Sequence, residues 1–160
     1  MKIQKTNAMR FLDKNKIEYK AHIYEHKDGD PVDGIHVAHI LNQPVECVFK
    51  TLVTQANTKE YLVFMLPVDK ELDLKKCAKS AKVKSCEMIH VKDINKITGY
   101  IRGGCSPLGM KKQFRTFIDE SVKNIDKIYF SAGKIGEQIE MSPSDLIQLI
   151  SIIVDDLVKE

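Results

Sequence analysis

The stretch from Glu46 to Val68 restricts the fold more than any other part of the chain. Glu46 to Gln55 and Glu60 to Val68 both read as strands, and Asn57-Thr58-Lys59 between them predicts a hairpin. In the second strand, Tyr61-Leu62-Val63-Phe64-Met65-Leu66, apolar side chains fall on both faces. A strand apolar on both sides is covered on both sides. The hairpin therefore belongs at the centre of a sheet that either closes on itself or is wrapped by helices. In the first strand Val48 and Leu52 share a face with Lys50, while Cys47, Phe49 and Val53 occupy the other. A lysine at such a place is costly to bury unless it is paired or lines a polar pocket. Two readings stay open. The strand lies near a rim, with the lysine stem on apolar surface and its head in water. Alternatively, Lys50 is a fixed cation, or a lysine of lowered pKa, at a pocket.

The flanking segments supply the covers. Thr6 or Asn7 caps a first helix with Ala8, Phe11, Leu12 and Ile17 at helical spacing. Glu18 to Glu25 alternates as a strand, with Tyr19, Ala21 and Ile23 on one face and Lys20, His22 and Tyr24 on the other. His26 to Gly34 reads as a loop, followed by a short helix over about Ile35 to Leu41. Asp73 caps a helix to about Lys82, with Leu74, Cys77, Ala78 and Ala81 facing inward and Lys75, Lys76, Lys79 and Lys82 forming a basic stripe. A short helix over about Val91 to Ile97 stops before Gly99. Thr116 to Ile118, Lys127 to Ser131 and Glu137 to Met141 read as strands, the last two joined by a turn at Gly133-Lys134-Ile135-Gly136. Ser142-Pro143-Ser144-Asp145 starts a last helix, expected to carry Leu146, Ile147, Leu149, Ile150, Ile153, Val154 and Leu157 to the core. With no repeat or linker, residues 1–160 read as one α+β domain.

The chemistry concentrates in Tyr100-Ile101-Arg102-Gly103-Gly104-Cys105-Ser106-Pro107-Leu108-Gly109-Met110-Lys111-Lys112. Two uses of this loop stay open. Cys105 or Ser106 is a nucleophile on a tight turn, although the Gly-x-Ser-x-Gly spacing and an assignable base are both missing. Otherwise the backbone N–H groups of Gly103 and Gly104 face a developing oxyanion. The lysine stripe, with Lys111, Lys112 and Arg115, reads either as a solvated helix face or as a phosphate-backbone footprint. A formal charge of +3 permits a nucleic-acid partner without requiring one. Cys47, Cys77, Cys86 and Cys105 form no Cys-x-x-Cys pair, and His36 and His39 lack a third ligand. No disulfide framework, metal or cofactor is expected. No apolar run is long enough to span a bilayer, and Met1 to Asn7 lead into an amphipathic segment rather than a signal core. The expected location is the cytoplasm, with no membrane partner.

Several separate segments coincide with one family. They are Lys5-Thr6-Asn7-Ala8-Met9-Arg10, His22-Ile23-Tyr24-Glu25, Phe49-Lys50-Thr51-Leu52-Val53 and the run from Pro67 to Lys76. Thr98-Gly99-Tyr100, Gly103-Gly104-Cys105-Ser106-Pro107-Leu108-Gly109, Ile128 to Lys134 and Gln138-Ile139-Glu140 complete the set. Together they resemble the YbaK/EbsC family of aminoacyl-tRNA deacylases, related to the editing domain inserted in bacterial prolyl-tRNA synthetases. The resemblance implies a mixed, barrel-like β-sheet flanked by helices. It implies clearance of mischarged tRNA, most typically Cys-tRNA(Pro) and also Cys-tRNA(Cys), with prolyl-tRNA synthetase as a further partner. It puts Lys50 at the functional lysine and Gly103, with Gly104, in the loop at the aminoacyl end. Tyr24, Thr51, Ser106, Ser131 and Gln138 fall at substrate-binding positions. Where members carry an aspartate, this chain has Gln138, which leaves no ionised carboxylate there. In this family the substrate thiol is thought to attack its own carbonyl. A preference for alanine on tRNA(Pro), or a non-catalytic module that holds tRNA or a synthetase, stays open as an alternative.

Overall fold

The hairpin forms as expected and organises the larger of two sheets. The computed structural model describes residues 4–25 and 33–160. Residues 26–32, most of the expected loop from His26 to Gly34, and Met1 to Ile3 lie outside the described residues. Strands β2 (Phe49–Ala56) and β3 (Tyr61–Pro67) pair antiparallel, with Lys50 opposite Leu66 and Leu52 opposite Phe64. Residues Leu62 through Leu66 are wholly buried. Leu62, Phe64 and Leu66 pack into one apolar cluster and Met65 into another, so both faces are covered. At about 1.5–3 kcal/mol per fully buried large side chain, those residues alone match a domain's entire net stability. The rest of the chain is arranged around covering them.

Helix α3 (Leu74–Ala81) covers one face. The Asp73 carboxylate accepts from the N–H groups of Lys75 and Lys76 at 3.0 and 3.2 Å, and Leu74, Cys77, Ala78 and Ala81 turn inward. Strand β4 (Cys86–Met88), which sequence reading left unassigned, pairs antiparallel with β2. On the other flank β5 (Arg115–Asp119) runs parallel to β3, and β8 (Ile153–Asp155) runs parallel to β5. The sheet order is β4-β2-β3-β5-β8.

A second, antiparallel sheet has the order β1-β7-β6, built from β1 (Lys20–Ile23), β6 (Ile128–Lys134) and β7 (Glu137–Met141). Its apolar face meets the larger sheet through Phe130, Ile139, Phe49, Met65 and Ile118. Helix α1 (Asn7–Lys14), capped by Thr6, adds Ala8, Met9 and Leu12 to that core, and α5 (Pro143–Leu149), capped by Ser142, adds Leu146. Two short helices complete the α+β class: α2 (Gly34–Ile40) and α4 (Ile94–Thr98), which stops at Gly99. Among the described residues one parallel bridge, Val48 to Tyr129, links the two sheets by hydrogen bonding, and they do not close into a barrel.

Two expectations change. Val45–Cys47 is a 3-10 turn, so the strand expected from Glu46 begins at Phe49. The last helix ends at Leu149, because Ser151 takes a positive φ of 53° and reverses the chain. Ile153 and Val154 then enter β8 instead of a helix face. Their β-branched side chains suit a strand, and the open edge of β5 is the partner that decides it. Asp119 fixes the exit by accepting the N–H of Leu157 at 3.0 Å.

Candidate functional site

A cleft of about 340 Å³ lies where the start of β2, the first turn of α2, the glycine loop and the β6–β7 hairpin converge. β2 and the residue before it contribute every position from Val48 to Leu52 to the lining. Lys50 is half-buried and lines this cleft. Burial lowers its pKa below the ordinary lysine range, while Glu71 and Asp69 work in the opposite direction. Beside it, the Oγ1 atom of Thr51 is buried with no hydrogen-bond partner among the described residues.

The polar face of the smaller sheet forms a second wall. The alternation in β1 puts Lys20, His22 and Tyr24 on the side away from the core, and the register sets His22 opposite Gln138 and Gln138 opposite Ser131. Ser131 and Gln138 both line the cleft. The Ser131 hydroxyl accepts the N–H of Gly133 at 3.1 Å. Gln138 is only 7% exposed, and its Oε1 has no partner among the described residues. The phenol of Tyr24 lies against the Gln138 side chain, and burial raises its pKa. A buried polar atom without a partner loses about 1–3 kcal/mol relative to a satisfied one. Two such atoms in one cleft mark a place for a polar ligand.

The glycine loop divides its tasks differently from the expectation. Gly103 lines the cleft with φ of 82°, a conformation that glycine adopts without strain. Its N–H has no backbone acceptor among the described residues. The N–H of Gly104 instead donates to the Ile101 carbonyl at 3.0 Å, and Gly104 is absent from the lining. A Cβ on Gly104 would sit 3.2 Å from the Ile135 nitrogen, so this glycine lets the loop press against the β6–β7 turn. Ser106 is wholly buried, and its hydroxyl accepts the N–H of Leu108 at 3.4 Å. It braces the loop from inside and does not reach the cleft wall. Cys105 does line the cleft, but burial pushes its thiol up to about 12. It is therefore a protonated thiol near neutral pH and a poor nucleophile.

Sequence reasoning missed a cluster on the same polar sheet face. His22 Nε2 lies 2.7 Å from Glu140 Oε1, and the His22 ring packs on Tyr129 at 5.6 Å. Burial alone would raise the Glu140 pKa, but His22, Tyr129 and Lys20 together hold it below the usual carboxylate range. The available signal was the alternation that aligns Glu140 with Gln138. Arg102 and Asp33 also line the cleft. Asp33 had been hidden by its other task, since its carboxylate caps α2 through the His36 N–H at 2.9 Å. Among the described residues no three His, Cys, Asp or Glu side chains converge on a metal-sized site, and no helix is long and apolar enough to cross a membrane.

Comparison with known proteins places these features in a family. The profile described as aminoacyl-tRNA editing domain matches residues 33–149. A protein of Enterococcus faecalis (strain ATCC 700802 / V583), provisionally named Cys-tRNA(Pro)/Cys-tRNA(Cys) deacylase EbsC, is 45% identical over 146 residues, covering 91% of this chain and 88% of that protein. Among solved structures, the hypothetical protein APE2540 superimposes with a TM-score of 0.88 at 18% identity, covering 96% of this chain and 100% of its own. A protein provisionally described as a trans-editing enzyme for prolyl tRNA synthetase superimposes with a TM-score of 0.81 at 16% identity, covering 96% of each chain.

Proposed function

This chain belongs to the aminoacyl-tRNA editing domain family, and we propose that it is a deacylase that clears cysteine from mischarged tRNA(Pro), with Cys-tRNA(Cys) as a second substrate. The carrying observation is one cleft that gathers Lys50, Thr51, Gly103, Ser131 and Gln138 and holds two buried oxygens without partners among the described residues. An aminoacyl ester fits those needs. Its α-amino group supplies donors to Gln138 Oε1 and Thr51 Oγ1. The neutral Gln138 offers a hydrogen bond there without an ion pair. The Lys50 ammonium faces the ester carbonyl or the departing 3′ oxygen, in surroundings where a charge acts more strongly than in water. The Gly103 N–H donates to the developing oxyanion. Gly104 shapes the turn that presents that N–H, and Tyr24 and Ser131 hold the wall around Gln138.

Among the described residues no side chain at the cleft is an activated nucleophile, so the attacking group comes from the substrate. The cysteinyl sulfur forms a bond to its own carbonyl carbon, and the bond from that carbon to the tRNA 3′ oxygen breaks. The thiol proton ends on the 3′ oxygen. Cysteine leaves as a thiolactone, which water opens afterwards. The protein holds sulfur and carbonyl in attacking geometry, a contribution of several kcal/mol to the barrier. The release step is thus lyase-like, and the overall result is hydrolysis.

The test is single-turnover deacylation of tRNA(Pro) charged with cysteine, serine, alanine or proline. Cysteine should be released fastest, with serine left almost untouched although its side chain is nearly isosteric. Equal rates on cysteine and serine would rule out thiol assistance. A Lys50→Ala variant that retains the wild-type rate would remove Lys50 from the mechanism. Binding of all four without release would make the chain a non-catalytic module. Choice between tRNA(Pro) and tRNA(Cys) falls to prolyl-tRNA synthetase acting beside this chain in the cytoplasm. Adding the synthetase should therefore favour Cys-tRNA(Pro), while unchanged discrimination would exclude that partner.

A further inference from the structure

We propose that the outer face of α3 is a track for the phosphate backbone of the RNA duplex whose aminoacylated 3′ end enters the cleft, an inference that rests on the reading of the cleft above. The structure sorts the cations that the sequence grouped together. Lys76 is engaged internally, its Nζ donating to Asp156 at 2.9 Å and to the Val158 carbonyl at 2.8 Å. Arg115 forks onto Glu60 at 2.8 and 2.9 Å and onto the Ala81 carbonyl at 3.1 Å. Lys111 donates to the Lys96 carbonyl. Lys75, Lys79 and Lys82 are different. All three are exposed, and none has an acidic partner among the described residues. Lys75 and Lys79, four residues apart, share one ridge of α3, about 6 Å apart along the axis at 1.5 Å per residue, and Lys82 follows at the C-cap with φ of 59°.

Lys75 and Lys79, one turn apart on α3, repel each other, although the C-terminal end of the helix dipole favours a cation at Lys79. Three of the nearby carboxylates are committed elsewhere, while Glu160 acts on Lys76. Asp73 caps α3, Asp156 holds Lys76 and Glu71 pairs with Lys159. The exposed Lys84 continues the positive charge beyond the helix. A polyanion laid along the ridge relieves this repulsion.

The helix that carries the ridge packs on the same apolar cluster as a residue of the cleft wall. Leu52 both lines the cleft and packs against the apolar cluster beneath α3. Leu66, the hairpin partner of Lys50, belongs to that same cluster. A ligand with its reactive end at Lys50 that continues outward past Leu52 meets α3. For an aminoacyl-tRNA, that continuation is the acceptor stem.

The experiment compares the wild type, a Lys75→Gln/Lys79→Gln/Lys82→Gln variant, and a Lys14→Gln/Lys123→Gln/Lys127→Gln variant that loses the same charge from other exposed positions. Binding of uncharged tRNA(Pro) is followed by fluorescence anisotropy between 50 and 200 mM salt. Release of cysteine is measured from a cysteinylated CCA trinucleotide, which has no stem. The ridge variant should lower the slope of log Kd against log salt by about 2–3, at roughly 0.7–0.9 for each phosphate that is no longer neutralised. It should cleave the trinucleotide within twofold of the wild-type rate, and the control variant should keep the wild-type slope. An unchanged slope, an equal fall in the control, or an equal fall in trinucleotide cleavage overturns the proposal. If the wild type cleaves no cysteinyl ester but the ridge variant still loses salt-dependent tRNA binding, the catalytic reading fails and the track stands. If deacylation is intact and the ridge variant binds tRNA like the wild type, only the track fails.

Discussion

Replacing Tyr100 by phenylalanine should loosen the glycine loop without touching the cleft wall. Tyr100 is 6% exposed, and its hydroxyl spans the base of the loop. It donates to the carbonyl of Leu108, at the far end of the loop. The N–H of Ala8, in the first turn of α1, is directed at the same oxygen. Burial pushes the phenol up to about 12, so it remains a donor throughout the neutral range. Tyr100→Phe keeps the ring and removes one atom, leaving a buried carbonyl and a buried N–H without partners. At about 1–2 kcal/mol for each orphaned group, the loss is about 2–4 kcal/mol. With an m value near 2 kcal/mol per molar urea, the unfolding midpoint should fall by about 1–2 M with m unchanged. Below the transition the folded variant should still deacylate poorly, since a shift of Gly103 on the order of 1 Å costs up to ~100-fold in rate. A midpoint within about 0.3 M of wild type would refute the bracing role. A normal rate in a clearly destabilised variant would show that Gly103 does not depend on the brace.

Other outcomes follow from the same geometry. Because burial depresses the Lys50 pKa, its ammonium is lost at lower pH than an ordinary lysine's 10.5, and single-turnover rates should decline on the alkaline side before that value; a Lys50→Arg variant that follows the same decline would assign it to another group. The raised pKa of Cys105 keeps the thiol protonated, so at pH 8 iodoacetamide should modify it far more slowly than a free cysteine, as mass spectrometry can measure, and Cys105→Ala should retain activity. Loss of activity in both the alanine and serine variants would return Cys105 to the chemistry. Asp119→Ala removes the acceptor for the buried Leu157 N–H and for Ser121, and should cost about 1–3 kcal/mol in urea unfolding while β8 gains faster amide exchange; unchanged protection in β8 would argue against that anchor.

What could be read from the chain was what local chemistry decides. Thr6, Asp73 and Ser142 announce helix starts because a cap needs only a side chain and the N–H groups within three residues of it. The hairpin was legible because a short run apolar on both faces and a turn at Asn57-Thr58-Lys59 point to the same paired strands. Ile150 to Leu157 was misread because its spacing satisfies a helix equally well; the deciding facts are the left-handed Ser151 and a strand edge offered by Asp119, far away in sequence. The site divides in the same way. Lys50 stood out because a charge inside an apolar strand contradicts its surroundings, and such a contradiction is visible without knowing the partner. His22 and Glu140, separated by 118 positions, contradict nothing locally, and only the register of β1 against β7 makes them a pair. Ser106 erred in the opposite direction: a serine before proline in a glycine loop looks reactive, yet its hydroxyl is spent on the Leu108 N–H two residues on. Gln138 first drew notice only through resemblance. Its buried Oε1, without a partner among the described residues, supplies a physical reason for the position, because a donor arriving with the ligand in the same cleft as Thr51 would satisfy it.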